Sequence, residues 1–406
     1  MRYFVFVFFL SIFALPANAE PLTLSQMVDL ALKNTPGVAQ ARLDYENRLA
    51  DGIEASTLED PTVQVDITRK RRPDSMTGTD IEIEQPLKLS YLSGARGNYA
   101  AALKSVATQE QKYEILRTIS EARNLYMQYW VLSERRKLLS ESATEAGKVA
   151  KAIGSSAHSG QTSQADYHLF HGDALKLKSD VKELDAELSK LRVAVSKMIG
   201  QSVIGEPAKP EFKPVTANIE QMAAFAEGHA NGRNILRAQA ESAKKRLAVA
   251  EQDSSLPEIS PRLIYSQAGG RDEESIGIGV ALRIPLWDGN RAERQRARSE
   301  LSHAQTRLDT LSRLPLQETL AQLQQSVLRS QERADSYWGE IVPTYRKSYK
   351  NASAMWSSGQ LSALDLWQIR ERLFEAEQTS LEAAADAYVA RTELELELGG
   401  ILEEIQ

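Results

Sequence analysis

Ile276-Gly277-Ile278-Gly279-Val280-Ala281-Leu282-Arg283-Ile284 alternates without a slip. Ile276, Ile278, Val280, Leu282 and Ile284 are large aliphatics, and the residues between them are small or charged. A period of two places the two sets on opposite faces of a β-strand. A greasy face backed by a small, polar one suits a transmembrane barrel, with lipid outside and water inside. About ten residues is the length such a strand needs. Taken alone, the stretch fits a soluble hairpin packed on helices at least as well.

The pattern recurs. In Thr62-Val63-Gln64-Val65-Asp66-Ile67-Thr68 the apolar positions are Val63, Val65 and Ile67, and Ile81-Glu82-Ile83-Glu84 continues the alternation after a turn. Two hairpins are expected, at about 61–88 and 259–286. Val63, Val65, Ile67, Ile81, Ile83, Ile276, Ile278, Val280 and Leu282 are the expected lipid-facing set. Four strands cannot close a barrel, whose smallest size is about eight. Open edges in lipid would leave backbone groups unpaired at several kcal/mol each. Strands from several copies must therefore join: two copies give a filled interior, and three give twelve strands and a lumen. Gly277, Gly279 and Ala281 with Asp66, Glu82 and Glu84 suit a wet lumen.

The chain of 406 residues is 26% charged and 7% aromatic, with only 22 Gly and 14 Pro, which favours long helices over an all-β sandwich. Its net charge of −6, from interspersed acids and bases, gives no electrostatic case for nucleic acid. With no Cys, disulfides, thiolate ligands, Cys catalysis and a lipidated N-terminal Cys are all excluded. Met1-Arg2, the apolar run Tyr3 to Leu15, Pro16 and Ala17-Asn18-Ala19 read as a signal peptide over 1–19, with a retained anchor as the other reading. No later stretch approaches a transmembrane helix, so an exported chain that enters a membrane does so as strands.

Ser159-Gly160-Gln161-Thr162-Ser163-Gln164-Ala165-Asp166 matches Ser358-Gly359-Gln360-Leu361-Ser362-Ala363-Leu364-Asp365. Gly160 and Gly359, Pro86 and Pro285, and Gly200 and Gly399 are each 199 residues apart. This register implies a tandem duplication, 20–205 and 206–406, joined by a linker holding Pro207, Pro210 and Pro214. Helices are expected at Leu24–Lys33, Val38–Leu58, Gly94 to about Ile153, and Gln164–Ile199. The second half adds Arg233–Ser255, Asn290–Trp356 (bent or interrupted by Pro315 and Pro343) and Ala363–Leu398. The expected class is mainly α with a small β part: long coiled-coil helical hairpins plus four transmembrane strands per chain.

At each matched turn, Gly160 or Gly359 can end a helix in the left-handed conformation. Ser163 with Asp166, and Ser362 with Asp365, are capping-box patterns that start the next helix. A well-capped turn needs no further role.

The mature chain resembles the TolC-like outer-membrane efflux family. The resemblance rests on Leu22-Thr23-Leu24, Ala31-Leu32-Lys33-Asn34-Thr35-Pro36, Glu84-Gln85-Pro86-Leu87, Ile284-Pro285-Leu286-Trp287-Asp288-Gly289 and Gly-Gln-x-Ser-x-x-Asp at both turns. It implies a homotrimer sharing one twelve-stranded barrel, a helical tunnel in the periplasm, a periplasmic adaptor and an inner-membrane pump, often proton-driven. The Glu-Gln-Pro-Leu stretch looks most like the heavy-metal (cobalt–zinc–cadmium or copper) subgroup. By the same resemblance, Gly160, Gln161, Thr162, Ser163 and Gly359, Gln360, Leu361, Ser362 form the adaptor-docking tips. Asp365 matches a gate aspartate, and Asp166 an acidic partner in the constriction. The chain departs from the pattern at the second gate aspartate (Gln368), the tyrosine (Trp356) and the arginine (Leu361). Either the polar lock is weaker or Trp356 closes the pore by packing; Asp166 and Asp365 read equally well as cap residues.

His168 and His171, with His158 near the tip, could hold a divalent cation if Asp173 joined, but with no Cys, no His-x-Glu arrangement and no third His nearby in sequence they read as solvent-facing helix residues, and no metal site is expected. Arg69-Lys70-Arg71-Arg72 reads as a solvated outer loop or a contact for lipid phosphates. There is no phosphate loop, nucleophile elbow or Ser/His/Asp signature, so neither catalysis nor a cofactor is expected and energy must come from a partner. The expectation is a passive outer-membrane exit duct of a tripartite efflux system, its substrate divalent heavy-metal cations. The alternatives are a soluble periplasmic coiled-coil scaffold and the outer-membrane duct of a type I protein secretion system.

Overall fold

The computed structural model describes residues 21–69, 77–158, 163–202, 205–211, 213–255, 257–268, 273–284 and 289–405. The expected signal peptide, the tip residues Gly160, Gln161 and Thr162, Pro285 to Asp288, and the rest of the basic run after Arg69 lie outside them.

The described elements are α1 (Leu24–Asn34), α2 (Pro36–Ser56), β1 (Thr62–Arg69), β2 (Thr77–Glu84), α3 (Leu89–Leu92), α4 (Ala95–His158) and α5 (Gln164–Ile199). There follow α6 (Ile219–His229), α7 (Asn231–Ser255), β3 (Glu258–Ala268), β4 (Glu273–Arg283), α8 (Arg291–Ser312), α9 (Leu316–Ser336), α10 (Val342–Ser357) and α11 (Ala363–Leu398). Among the described residues no helix is long and apolar enough to cross a membrane.

One element was not anticipated: helix α6, although Asn218 and Gln221 form a reciprocal capping box at its start. The helix expected over Asn290–Trp356 is interrupted near both prolines and runs as three helices. It stops at Ser312 and restarts after Pro315, whose missing N–H cannot continue the ladder. A π-helical turn over Tyr337–Ile341, where Val342 N–H reaches back to the Tyr337 carbonyl, comes just before Pro343.

The described residues form two compact units, each drawing on both halves of the sequence. The first holds those within Met1–Asn34, Glu121–Pro214 and Arg329–Val389. Its core gathers Met27, Tyr126, Met127, Tyr129, Trp130, Leu188, Val195, Ile199, Leu381 and Ala384. Leu22 pairs in parallel with Pro207, and the buried Tyr126 hydroxyl lies 2.8 Å from the Leu22 carbonyl and 2.7 Å from that of Ala208. A second cluster in this unit joins Val149, Ala150, Ile153, Phe170, Ala352 and Leu366.

The other unit holds Thr35–Ser120, Val215–Leu328 and Ala390–Gln406, as far as they are described. Met222, Ala226, Leu320, Val327, Leu394, Leu398 and Leu402 make its core. Helix α11 ends on Gly399 at φ 80°, where a Cβ would stand 1.7 Å from the His229 carbonyl oxygen; only glycine fits. This unit also carries the sheet, antiparallel throughout, in the order β1-β2-β3-β4.

Candidate functional site: an apolar wall and a capped helical tip

The register aligns the alternating residues of all four strands. One row runs Val63, Ile83, Leu263, Ile278, and the next Val65, Ile81, Tyr265, Ile276. Val63, Val65, Ile67, Ile83, Ile276, Ile278, Val280 and Leu282 are all exposed, Ile278 to 88%; Ile81 is half-buried. Burying a Val or Ile side chain is worth about 1.5–3 kcal/mol, so a continuous apolar face of this extent calls for a cover.

On the opposite face, Arg262 reaches Glu82 at 2.9 Å and Glu84 at 3.0 Å. Asp66, Asp80, Ser266 and Ser275 share one row there, and Gly277 and Gly279 leave room beside Ile264 and Arg262. Where β2 hands over to α4, Arg96 ties the chain down. Its guanidinium donates to Ser90 Oγ (2.7 Å), the Ala55 carbonyl (3.2 Å) and Asp253 Oδ2 (2.6 Å), and lies 4.3 Å above the Tyr91 ring. This cluster joins the ends of α2 and α7 to the start of α4.

The second tip is built by local chemistry. Gly359, at φ 75°, donates to the Trp356 carbonyl (3.0 Å), and Gln360 donates to that of Met355 (2.9 Å); these are the two hydrogen bonds of a Schellman cap. Asp365 N–H then donates to Ser362 Oγ (3.1 Å), whose hydroxyl donates to Asp365 Oδ2 (2.6 Å). At the first tip, Ser163 Oγ accepts from Ala165 N–H at 3.1 Å.

The gate candidates separate. Trp356 and Leu361 pack together against the cluster of Val149, Ile153 and Phe170. Asp166, Asp365 and Gln368 are exposed. His168 and His171 both lie against the Tyr167 ring, at 5.3 and 5.5 Å between centroids. Among the described residues no three His, Asp or Glu gather as a metal site would require.

Sequence reasoning missed a buried ionic cluster joining α4, α10 and α11. Arg370, 5% exposed, donates to Glu145 Oε2 at 2.6 Å and stands 3.7 Å from Glu377, which Arg346 holds at 2.8 Å. Burial, then the Glu145 carboxylate, pushes the Tyr349 phenol up to about 12. The signal was legible: Leu366, Arg370, Leu373 and Glu377 follow helical spacing, so two charges occupy core positions of an apolar stripe.

No family model matches the chain. It is 21% identical over 393 residues to the cobalt-zinc-cadmium resistance protein CzcC of Cupriavidus metallidurans, covering 94% of this chain and 91% of that one. The outer-membrane protein VceC of Vibrio cholerae superposes with a TM-score of 0.75 at 15% identity, over 93% of this chain and 96% of that one. The Campylobacter jejuni CmeC outer-membrane channel gives 0.74 at 13% identity, over 93% and 85%. The chain has the fold of these outer-membrane proteins, the TolC-like fold its motifs resemble.

Proposed function

We propose that the chain is the outer-membrane channel subunit of a tripartite efflux system, working as a homotrimer. Each copy contributes four strands to a shared twelve-stranded barrel, its apolar face in lipid and its polar face toward water. The continuous exposed apolar face, on a sheet with two open outer strands, is the observation that carries this reading. Three copies close the edges and leave a lumen, whereas one copy leaves unpaired backbone in lipid. Because the wall is passive, the driving force comes from an inner-membrane pump, proton-driven, linked through a periplasmic adaptor.

Gly160, Gln161, Thr162, Ser163, Gly359, Gln360, Leu361 and Ser362 dock the adaptor in this proposal, the small Gly, Ser and Thr among them allowing close approach. Trp356 replaces a polar lock by packing, and the exposed Asp166, Asp365 and Gln368 set the charge of the entrance. The similarity to CzcC supports divalent heavy-metal cations as the transported class.

Deleting the gene should sensitise the native host to Co²⁺, Zn²⁺ or Cd²⁺, and the protein should fractionate with outer membranes as a trimer requiring detergent. Recovery as a soluble monomer without detergent would support the scaffold reading instead. Unchanged metal tolerance with a trimer in the outer membrane would keep the channel and discard the substrate class.

A further inference from the structure

β1 and β4 are the outer strands of the sheet. The two hairpins can be laid rung on rung, since Thr62 pairs with Glu84 in the first and Glu258 with Arg283 in the second. β3 is then β1 advanced by 196 residues and β4 is β2 advanced by 199, the same spacing that separates Pro86 from Pro285.

Between the hairpins, β2 meets β3 with Glu84 opposite Arg262 and Ile83 opposite Leu263, and Gln85 N–H donates to the Pro261 carbonyl at 3.1 Å. Carrying that pairing one repeat onward sets β4 of one copy against β1 of the next. Arg283 then replaces Glu84 and faces Asp66 where Arg262 stood. Leu282 faces Ile67, and Ile284 faces Val65.

The residues fit. Leu282, Ile284, Val65 and Ile67 are each more than half exposed, and all four fall on the apolar face. The charges fit with the signs exchanged. Inside the chain the second strand gives the acid and the third the base, whereas at the seam the last strand gives the base and the first the acid. Arg283 is 82% exposed, its nearest acid being Glu258 at 3.7 Å. Asp66 accepts only a hydrogen bond from Gln64 Nε2, at 2.8 Å, among the contacts described for it.

We propose that the seam between copies pairs β4 with β1 so that Arg283 forms an ion pair with Asp66 of the next copy, Ile284 standing opposite Val65. The pairing rests on the shared barrel proposed above. It is heterologous and head-to-tail, and it closes a ring when three copies complete one full turn. A one-residue slip would turn the apolar face of the neighbour inward, and a two-residue slip would set Arg283 beside Thr68 or Gln64.

With no cysteine in the chain, engineered pairs report alone. Val65→Cys with Ile284→Cys, oxidised in outer-membrane vesicles, should give covalent trimers. The slipped pairs Val65→Cys with Leu282→Cys, and Ile67→Cys with Ile284→Cys, should give several-fold less. Asp66→Arg and Arg283→Asp should each weaken the detergent-solubilised trimer, and the double reversal should restore it. A slipped pair that cross-links best, or a trimer that none of the pairs cross-links, overturns the register and leaves the shared barrel standing. A double reversal as weak as the single changes overturns the ion pair. Monomers without inter-copy cross-links overturn the shared barrel and the proposed function with it.

Discussion

Arg370 and Gly359 show how single residues hold unit and tip. Arg370→Ala leaves the Glu377 carboxylate buried with Arg346 alone and frees Glu145. Breaking a buried pair from one side costs about 3–5 kcal/mol, so the melting midpoint of the detergent-solubilised protein should fall clearly. Arg370→Met combined with Glu377→Gln should recover much of it, since the uncompensated charge is gone. Tyr349 gives a pH signature. Its phenol is raised from 10.0 to about 12, so the unfolded chain loses this proton first and stability drains away as pH rises from 10 towards 12. Tyr349→Phe should make that alkaline decline shallower in thermal melts. At the tip, Gly359→Leu forces a side chain to φ 75°, a strain of about 1–2 kcal/mol. Export should be lost with trimers intact; normal efflux would remove the docking role of the tip.

Among the elements, the strands make the sharpest prediction. Lysine at Val65 or Ile278 should cost about 2–4 kcal/mol if these positions face mid-bilayer lipid, read as reduced trimer yield in the outer membrane; tolerance would contradict the assigned faces. The helices show how the proposed duplication has drifted. α5 and α11 both run 36 residues and lie 199 apart at each end. Gly94 and Gly289, both at positive φ just before α4 and α8, are 195 apart. The second long helix therefore carries four extra residues, slightly more than one turn. The break before Pro315 and the π turn at Tyr337–Ile341 are the two places where its ladder departs from α-helix, and a four-residue insertion shifts helical phase in the way such departures absorb.

For the whole molecule, the proposal is a tube that no single copy can form. Its stability in the membrane therefore depends on the association of copies as much as on the fold of one. Dilution of the detergent-solubilised trimer to the point of dissociation should expose the β1 and β4 edges and lead to aggregation rather than to a stable monomer, which light scattering would detect. A clear, folded monomer at that dilution would mean that the sheet edges are covered from within the chain.

The alternating strands, the long helices and the glycine-closed second tip were legible in the sequence because each depends on local period or local turn chemistry: Ile276 to Ile284, Gln164 to Ile199, Gly359 to Asp365. Tertiary structure alone decided the pairing of β2 with β3 and the side on which Arg262 meets Glu82 and Glu84. It also decided that Arg370 meets Glu145 of α4, although its place with Glu377 on the apolar stripe of α11 is legible in the helical spacing, and which unit each half-helix joins. These depend on residues far apart in the chain, whose meeting no local pattern encodes.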